Sequence, residues 1–173
     1  NILQELSEQM NTQNQLISLQ NDIPRDCADL ASKGPYASGP YTIHPWDDLG
    51  NLRVYCDMDT DNGGWTVFQH RFDGSVDFYR GWEAYEEGFG SPDGEYWLGL
   101  IHIRRLTQQG IWELRVDLQD FSDNTAYAEY ESFSVGDVAS NYTLSIGAYS
   151  GTAGDSLRHN NNSPFSTHDR DND

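Results

Sequence analysis

Tyr55-Cys56-Asp57-Met58-Asp59-Thr60-Asp61-Asn62-Gly63-Gly64-Trp65-Thr66-Val67-Phe68 is the stretch from which the fold is read. It holds one of the chain's two cysteines, then a turn of Asp, Asn and paired Gly, then Trp, Val and Phe spaced as in a part-buried strand. Asp57, Asp59 and Asp61 repeat the alternating carboxylates that open a calcium loop. The match stops there, because the loop glycine would fall on Asn62 and the bidentate glutamate on Phe68. The stretch therefore reads as a tight reversal between strands.

Working outward, Cys56 has one partner available, Cys27, and neither has a Cys or His beside it at metal-ligand spacing. A disulfide is the better reading; closing a loop of this size contributes roughly 3 kcal/mol on the loop-entropy model and implies an oxidising compartment. Asn141-Tyr142-Thr143 and Asn161-Asn162-Ser163 fit the glycosylation sequon, with Asn161 the poorer acceptor because Pro164 follows. A formal charge of -18 and a pI near 4.3 repel phosphate backbones, so nucleic acid is excluded as a partner. No apolar run approaches a transmembrane span, membrane insertion is not expected, and the first residues lack the charged and apolar regions of a signal peptide. Mean hydropathy of -0.72 is low for a packed core, but 13% aromatic residues supply large buried areas, so the core should be rich in Trp and Tyr.

Residues 1–21 contain no Gly, Pro or aromatic residue and place Leu3, Leu6, Met10 and Ile17, with Gln13 and Gln20, at alternating three and four spacing. This reads as a coiled-coil stalk that makes the protein a homo-oligomer, the competing reading being a frayed surface helix. Pro24 ends it, and Arg25-Asp26-Cys27 opens a globular part from residue 24 to 173. Short strands are expected over Tyr41–Ile43 and Leu52–Met58, a helix over Trp82–Glu87 stopped by Gly88, and a helix over Leu98–Leu106 with Leu98, Ile101 and Leu106 inward and Arg104 and Arg105 outward. Ile111–Leu118 alternates as an amphipathic strand with Trp112, Leu114, Val116 and Leu118 on one face, and Tyr142 to Ala148 alternates likewise. The aromatic series Phe78, Tyr79, Trp82, Tyr85 and Phe89 is assigned to core packing in preference to a sugar-stacking face. Short strands, turns and a few helices describe an α+β domain around antiparallel sheet. From Ser150 onward the chain is polar coil with Leu157 and Phe165 as its anchors, and a coil this long inside a domain is usually functional or poorly ordered.

No enzyme is expected. Gly154-Asp155-Ser156-Leu157 spells a hydrolase nucleophile block, but a Ser nucleophile needs a base, an orienting acid and a strand-to-helix elbow, and this block lies in glycine-rich coil. Asp169-Arg170-Asp171-Asn172-Asp173 is a second alternating-carboxylate run, set among carbonyl and amide oxygens where a hard cation finds ligands.

Taken together, Pro24-Arg25-Asp26-Cys27, the Cys56 to Gln69 stretch, Asp73-Gly74-Ser75-Val76-Asp77-Phe78, Gly88-Phe89-Gly90, Glu95-Tyr96-Trp97-Leu98-Gly99-Leu100 and Phe165-Ser166-Thr167 with the closing acidic run resemble a fibrinogen C-terminal (fibrinogen-related) domain over roughly residues 24–173. The resemblance implies a disulfide-closed N-terminal subdomain, a twisted antiparallel sheet with short helices, and a loop-rich C-terminal part. It carries the disulfide onto Cys27 and Cys56, assigns calcium to Asp171 and Asp173, and leaves the Asp57–Asp61 turn without metal. It also implies that the chain is C-terminally incomplete, since the family's second disulfide and ligand pocket lie beyond Asp173. The function it implies is that of a secreted, ficolin- or tachylectin-like lectin. Such a protein binds acetylated glycans or polysaccharide on microbial surfaces, with calcium, in innate immunity. The alternative is a receptor ligand or extracellular-matrix protein, angiopoietin-like or tenascin-like.

Overall fold

The disulfide expected from the two cysteines is formed: Cys27 and Cys56 are joined across a Cα separation of 5.4 Å, both fully buried. The computed structural model that contains it describes residues 2–172, the side chains of 16–22 excepted. The chain divides into two compact units, one ending at Val67 and the other beginning at Phe68.

The first unit carries helix α1 (Ile2–Asp22), helix α2 (Cys27–Ser32) and strands β1 (Gly39–Ile43), β2 (Leu52–Asp57) and β3 (Trp65–Val67). On α1, Leu3, Leu6, Met10 and Gln13 of the expected seam are exposed, and the side chains of Ile17 and Gln20 lie outside the described residues. Helix α2 starts where Asp26 caps it, its Oδ1 accepting from the Asp29 N–H at 2.7 Å. The Asp29 carboxylate in turn accepts from the Arg25 N–H at 3.0 Å, a reciprocal arrangement that satisfies donors the helix cannot. The antiparallel sheet runs in the order β1-β2-β3, with Gly39 opposite Cys56 and Asp57 opposite Trp65. Alternation along β2 buries Leu52, Val54 and Cys56, which with Ile43, Leu30 and Cys27 form this unit's core.

The acidic reversal between β2 and β3 is held by its own backbone. Asp57 Oδ1 accepts from the N–H groups of Asp59 at 2.9 Å and Thr60 at 3.0 Å, and the Asp59 carboxylate accepts from the Ser38 hydroxyl. Asp61 and Asn62 sit at φ 43° and 73°, and the Trp65 indole N–H donates to the Thr60 carbonyl at 3.0 Å. Gly63 is required: φ is +75°, and a Cβ there would stand 2.3 Å from the Met58 carbonyl oxygen.

In the second unit the strands are β4 (Gln69–His70), β5 (Phe89–Gly90), β6 (Tyr96–Trp97), β7 (Leu114–Gln119), β8 (Thr125–Tyr130), β9 (Phe133–Val135), β10 (Leu144–Ile146) and β11 (Tyr149–Gly151). They form three small antiparallel sheets, β4-β6-β5, β11-β8-β7 and β10-β9, joined by helices α3 (Trp82–Glu87) and α4 (Leu100–Thr107). The core is aromatic, as composition required. Phe68 stacks on Phe133 at 5.6 Å and meets Trp97 edge-on; Tyr85 contacts Phe89 and Trp97; Phe78 contacts Phe89. The polar tips are satisfied inside this packing, the Trp97 indole N–H donating to the Tyr85 carbonyl and the Tyr85 hydroxyl to that of Phe78. Tyr79 departs from the series: it is 76% exposed and stacks on His168.

Two of the expected faces are corrected. On α4 the buried residues are Leu100, Ile103, Arg105, Leu106 and Thr107, whereas Ile101 is 37% exposed; Leu98 is buried as expected, but ahead of the helix. The helix begins only after Gly99, whose φ of +103° breaks the run and takes Leu98 out of the helical frame. Arg105, expected to face outward, is buried with its guanidinium 3.3 Å from His102 Nδ1. It lies off the apolar face, so α4 is covered on more than the side its periodicity reports. On β7 the strand begins at Leu114, and burial fades from Leu114 through Val116 to exposed Leu118. Only the root of the hairpin touches the core; the tip carries a fully exposed Phe121.

Candidate functional site

The site is the loop that closes the described chain. Phe165 enters the aromatic core with its ring 5.5 Å from Tyr85 and 6.1 Å from Trp97. Beyond it the backbone folds on itself: Thr167 and Arg170 exchange N–H···O bonds at 2.9 and 3.0 Å. A second closure follows, in which the Asn172 N–H donates to the Ser166 hydroxyl at 3.0 Å and its side-chain amide to the Phe165 carbonyl at 2.7 Å. Asp171 stands between the two closures and is exposed. The coil expected from Ser150 onward begins only after β11 and is anchored by Ala153 and Leu157, which pack on the Leu114, Ala128 and Tyr130 cluster, and by Phe165.

The alternating Asp residues do different work. Asp169 Oδ1 accepts from the Thr167 hydroxyl at 2.7 Å and from the Trp82 backbone N–H at 2.9 Å. The N-cap of α3 is Gly81, which has no side chain to offer, so Asp169 satisfies that N–H from a distant part of the chain. A Cβ at position 81 would lie 2.3 Å from Asp169 Oδ2. The Thr167 hydroxyl first, then the Trp82 N–H and the neighbouring His168, hold the Asp169 carboxyl below the usual range. Arg170 lies 4.0 Å above the Trp82 ring and donates through Nη2 to Asn141 Oδ1 at 2.9 Å. Asn141 and Tyr142 are both left-handed, at φ 51° and 54°, and the Asn141 carbonyl accepts from the Phe165 N–H at 2.9 Å. The buried Tyr142 hydroxyl donates to Glu86 at 2.8 Å; burial, then Glu86, push its phenol up to about 12.

Asp169 and Arg170 carry no assigned role in the sequence reading, which gives calcium to Asp171 and Asp173 alone. The available signal was the arginine itself, a cation inside a proposed cation site that has to be accommodated elsewhere. Of the two residues assigned to calcium, Asp171 is on this loop and Asp173 lies outside the described residues. The donor set is all oxygen and suits a hard cation, but six to eight ligands are needed, and among the described residues no group of three or more His, Cys, Asp or Glu side chains is placed to hold a metal.

The remaining singled-out residues fall elsewhere. Asn141 is half-buried and its side-chain oxygen is taken by Arg170; Asn161 is exposed and its side-chain oxygen accepts from the Ile146 N–H at 3.0 Å. In the Gly154–Leu157 block, Asp155 accepts from the Tyr130 hydroxyl at 3.0 Å and Leu157 is a core anchor, so the block fastens the coil to the sheet. Glu95, in the sequence only one member of the Glu95–Leu100 motif, organises a loop: Oε1 accepts from the N–H groups of Phe72, Asp73 and Gly74, and Oε2 from that of Val76. These bonds, Val76 and Gly74 foremost, lower its carboxyl to about 2.

Comparison with known proteins agrees with the fold and the motifs. Residues 23–173 match the family model for the C-terminal globular domain of fibrinogen beta and gamma chains. Fibrinogen-like protein A of Apostichopus parvimensis is 52% identical over 91% of this chain, and mouse (Mus musculus) tenascin is 51% identical over 91%. The chain spans 56% of the first of these relatives and 7% of the second. The fibrinogen-like globe domain of human ANGPTL2 superposes with a TM-score of 0.84 at 45% identity, covering 86% of this chain and 69% of that one. Members of this family are generally recognition and structural modules rather than enzymes. A common fold, a common set of motifs and this level of identity over nearly the whole globular part place the chain in the fibrinogen C-terminal domain family.

Proposed function

We propose that this chain is the recognition module of a secreted protein that binds acetylated carbohydrates on microbial surfaces in innate immunity, assisted by calcium held at Asp171 and Asp173. The observation that carries it is the doubly closed loop at residues 165–172, which presents Asp171 on an ordered backbone. Calcium there would act as a structural tie that stiffens the loop, with no part in a reaction. Weak single-site binding would be strengthened by oligomerisation through residues 1–21, where Leu3, Leu6 and Met10 stand exposed. The disulfide suits an oxidising, extracellular setting, and none of the described helices is long and apolar enough to cross a membrane. Asn141 and Asn161 are the proposed glycan attachment points.

A second reading, a receptor ligand or extracellular-matrix module, is supported by the similarity to tenascin and to the ANGPTL2 globe domain. The two are separated by retention of the full-length protein on an acetylated resin in calcium. Elution by free N-acetylglucosamine and by chelator is the result expected of a lectin. Absence of retention, together with capture of a cell-surface receptor, would reject the lectin in favour of the second reading.

A further inference from the structure

The positive charge inside the acidic run requires an explanation, because an arginine next to a cation-binding carboxylate opposes binding, and contacts with neutral groups fix where the guanidinium stands without removing its charge. Here it is engaged twice, by the Trp82 ring at 4.0 Å and by Asn141 Oδ1 at 2.9 Å. One residue earlier, Asp169 is tied to the Trp82 backbone N–H. Both attachments converge on Trp82, a residue only 8% exposed that opens α3 and contacts Phe165 and Tyr142. The far side of the attachment is Asn141–Tyr142, two consecutive non-glycine residues with positive φ, a conformation that persists only where the surroundings enforce it. The Phe165 N–H on the Asn141 carbonyl and the Tyr142 hydroxyl on Glu86 do so.

From this geometry we infer that Asp169 and Arg170 are positioning residues for the neighbouring Asp171: they latch the loop to Trp82 before a cation arrives. The inference rests on the calcium reading above. A loop latched in the metal-free protein loses little conformational freedom on binding, so the ion's affinity is not spent on ordering the backbone. The planar guanidinium is specific to the role, since it stacks on an indole and keeps a donor for Asn141, which a lysine ammonium does not reproduce.

The test uses the intact chain with Arg170→Ala, Arg170→Lys, Asp169→Asn and Asp171→Ala, titrated with calcium chloride by calorimetry. Amide hydrogen exchange is followed in parallel in the absence of metal. Arg170→Ala and Asp169→Asn should weaken calcium about tenfold, Arg170→Lys should fail to rescue, and Asp171→Ala should abolish the heat. Without metal, Arg170→Ala should speed exchange of the Trp82, Thr167 and Asn172 amides about tenfold while the β7–β8 amides stay unchanged, which separates the latch from general loss of fold. Wild-type affinity in Arg170→Ala, or unchanged exchange at those three amides, would overturn the inference and leave the calcium reading standing. If the wild-type chain takes up no calcium, the calcium reading itself fails and the positioning role falls with it.

Discussion

At the scale of single residues, the chain's carboxylates are divided between those that organise backbone and those offered to the outside. Glu95 belongs to the first group: its side chain is 2% exposed and four N–H groups converge on it, in the manner of a charge stabilised by oriented peptide dipoles. Its carboxyl is lowered from 4.5 to about 2, so its contribution to stability is fully present above pH 4.5 and is lost as pH falls toward 2. Replacing Glu95 with Gln keeps the shape but removes the charge and turns an NH2 toward backbone donors. Denaturant midpoints measured from pH 7 to 2 should show the variant less stable at neutral pH and flatter between pH 4.5 and 2. Parallel curves for the two proteins would contradict this account. Asp57 is of the same kind, lowered despite burial by its bonds to Thr60, Asp59 and Ser38, and this is why the first alternating-carboxylate run reads as structure.

Among elements, the joint between β2 and β3 and the cap of α3 show two ways of making a sharp change of direction. The first is local: Gly63 adopts φ +75° against the Met58 carbonyl, and Cys56 at the preceding strand is fastened to Cys27 at the head of α2. Gly63→Ala should cost about 1–3 kcal/mol, since the added methyl meets backbone and the residue must hold a left-handed conformation. Urea unfolding measures this directly, and a loss under about 0.5 kcal/mol would mean that the reversal tolerates rearrangement. The second is remote: α3 begins at a glycine and borrows its cap from Asp169. A six-residue helix has little stability of its own and depends on such packing and capping from elsewhere in the fold.

For the whole molecule, exposed Leu3, Leu6 and Met10 on α1 lead to the expectation of a concentration-dependent oligomer. Light scattering from micromolar to millimolar concentration should register its mass, and Leu6→Lys with Met10→Lys should return a monomer; a wild-type monomer throughout would exclude α1 as the assembly element. Much of this architecture was legible in the residues alone. The bounds of α3 followed from aromatic spacing and Gly88, the β2–β3 reversal from paired glycines, and the disulfide from there being one possible partner. These are determined by short-range chemistry: periodicity, backbone freedom and covalent valence act within a few residues or admit one solution. Tertiary structure alone decided that Arg105 is buried, that Glu95 gathers the N–H groups of Phe72, Asp73, Gly74 and Val76, and that of three alternating carboxylates Asp169 caps a helix 87 positions away. The physical reason is the same in each case. A charged side chain's partner is set by what the fold brings within hydrogen-bond reach, and spacing along the chain carries no record of that distance.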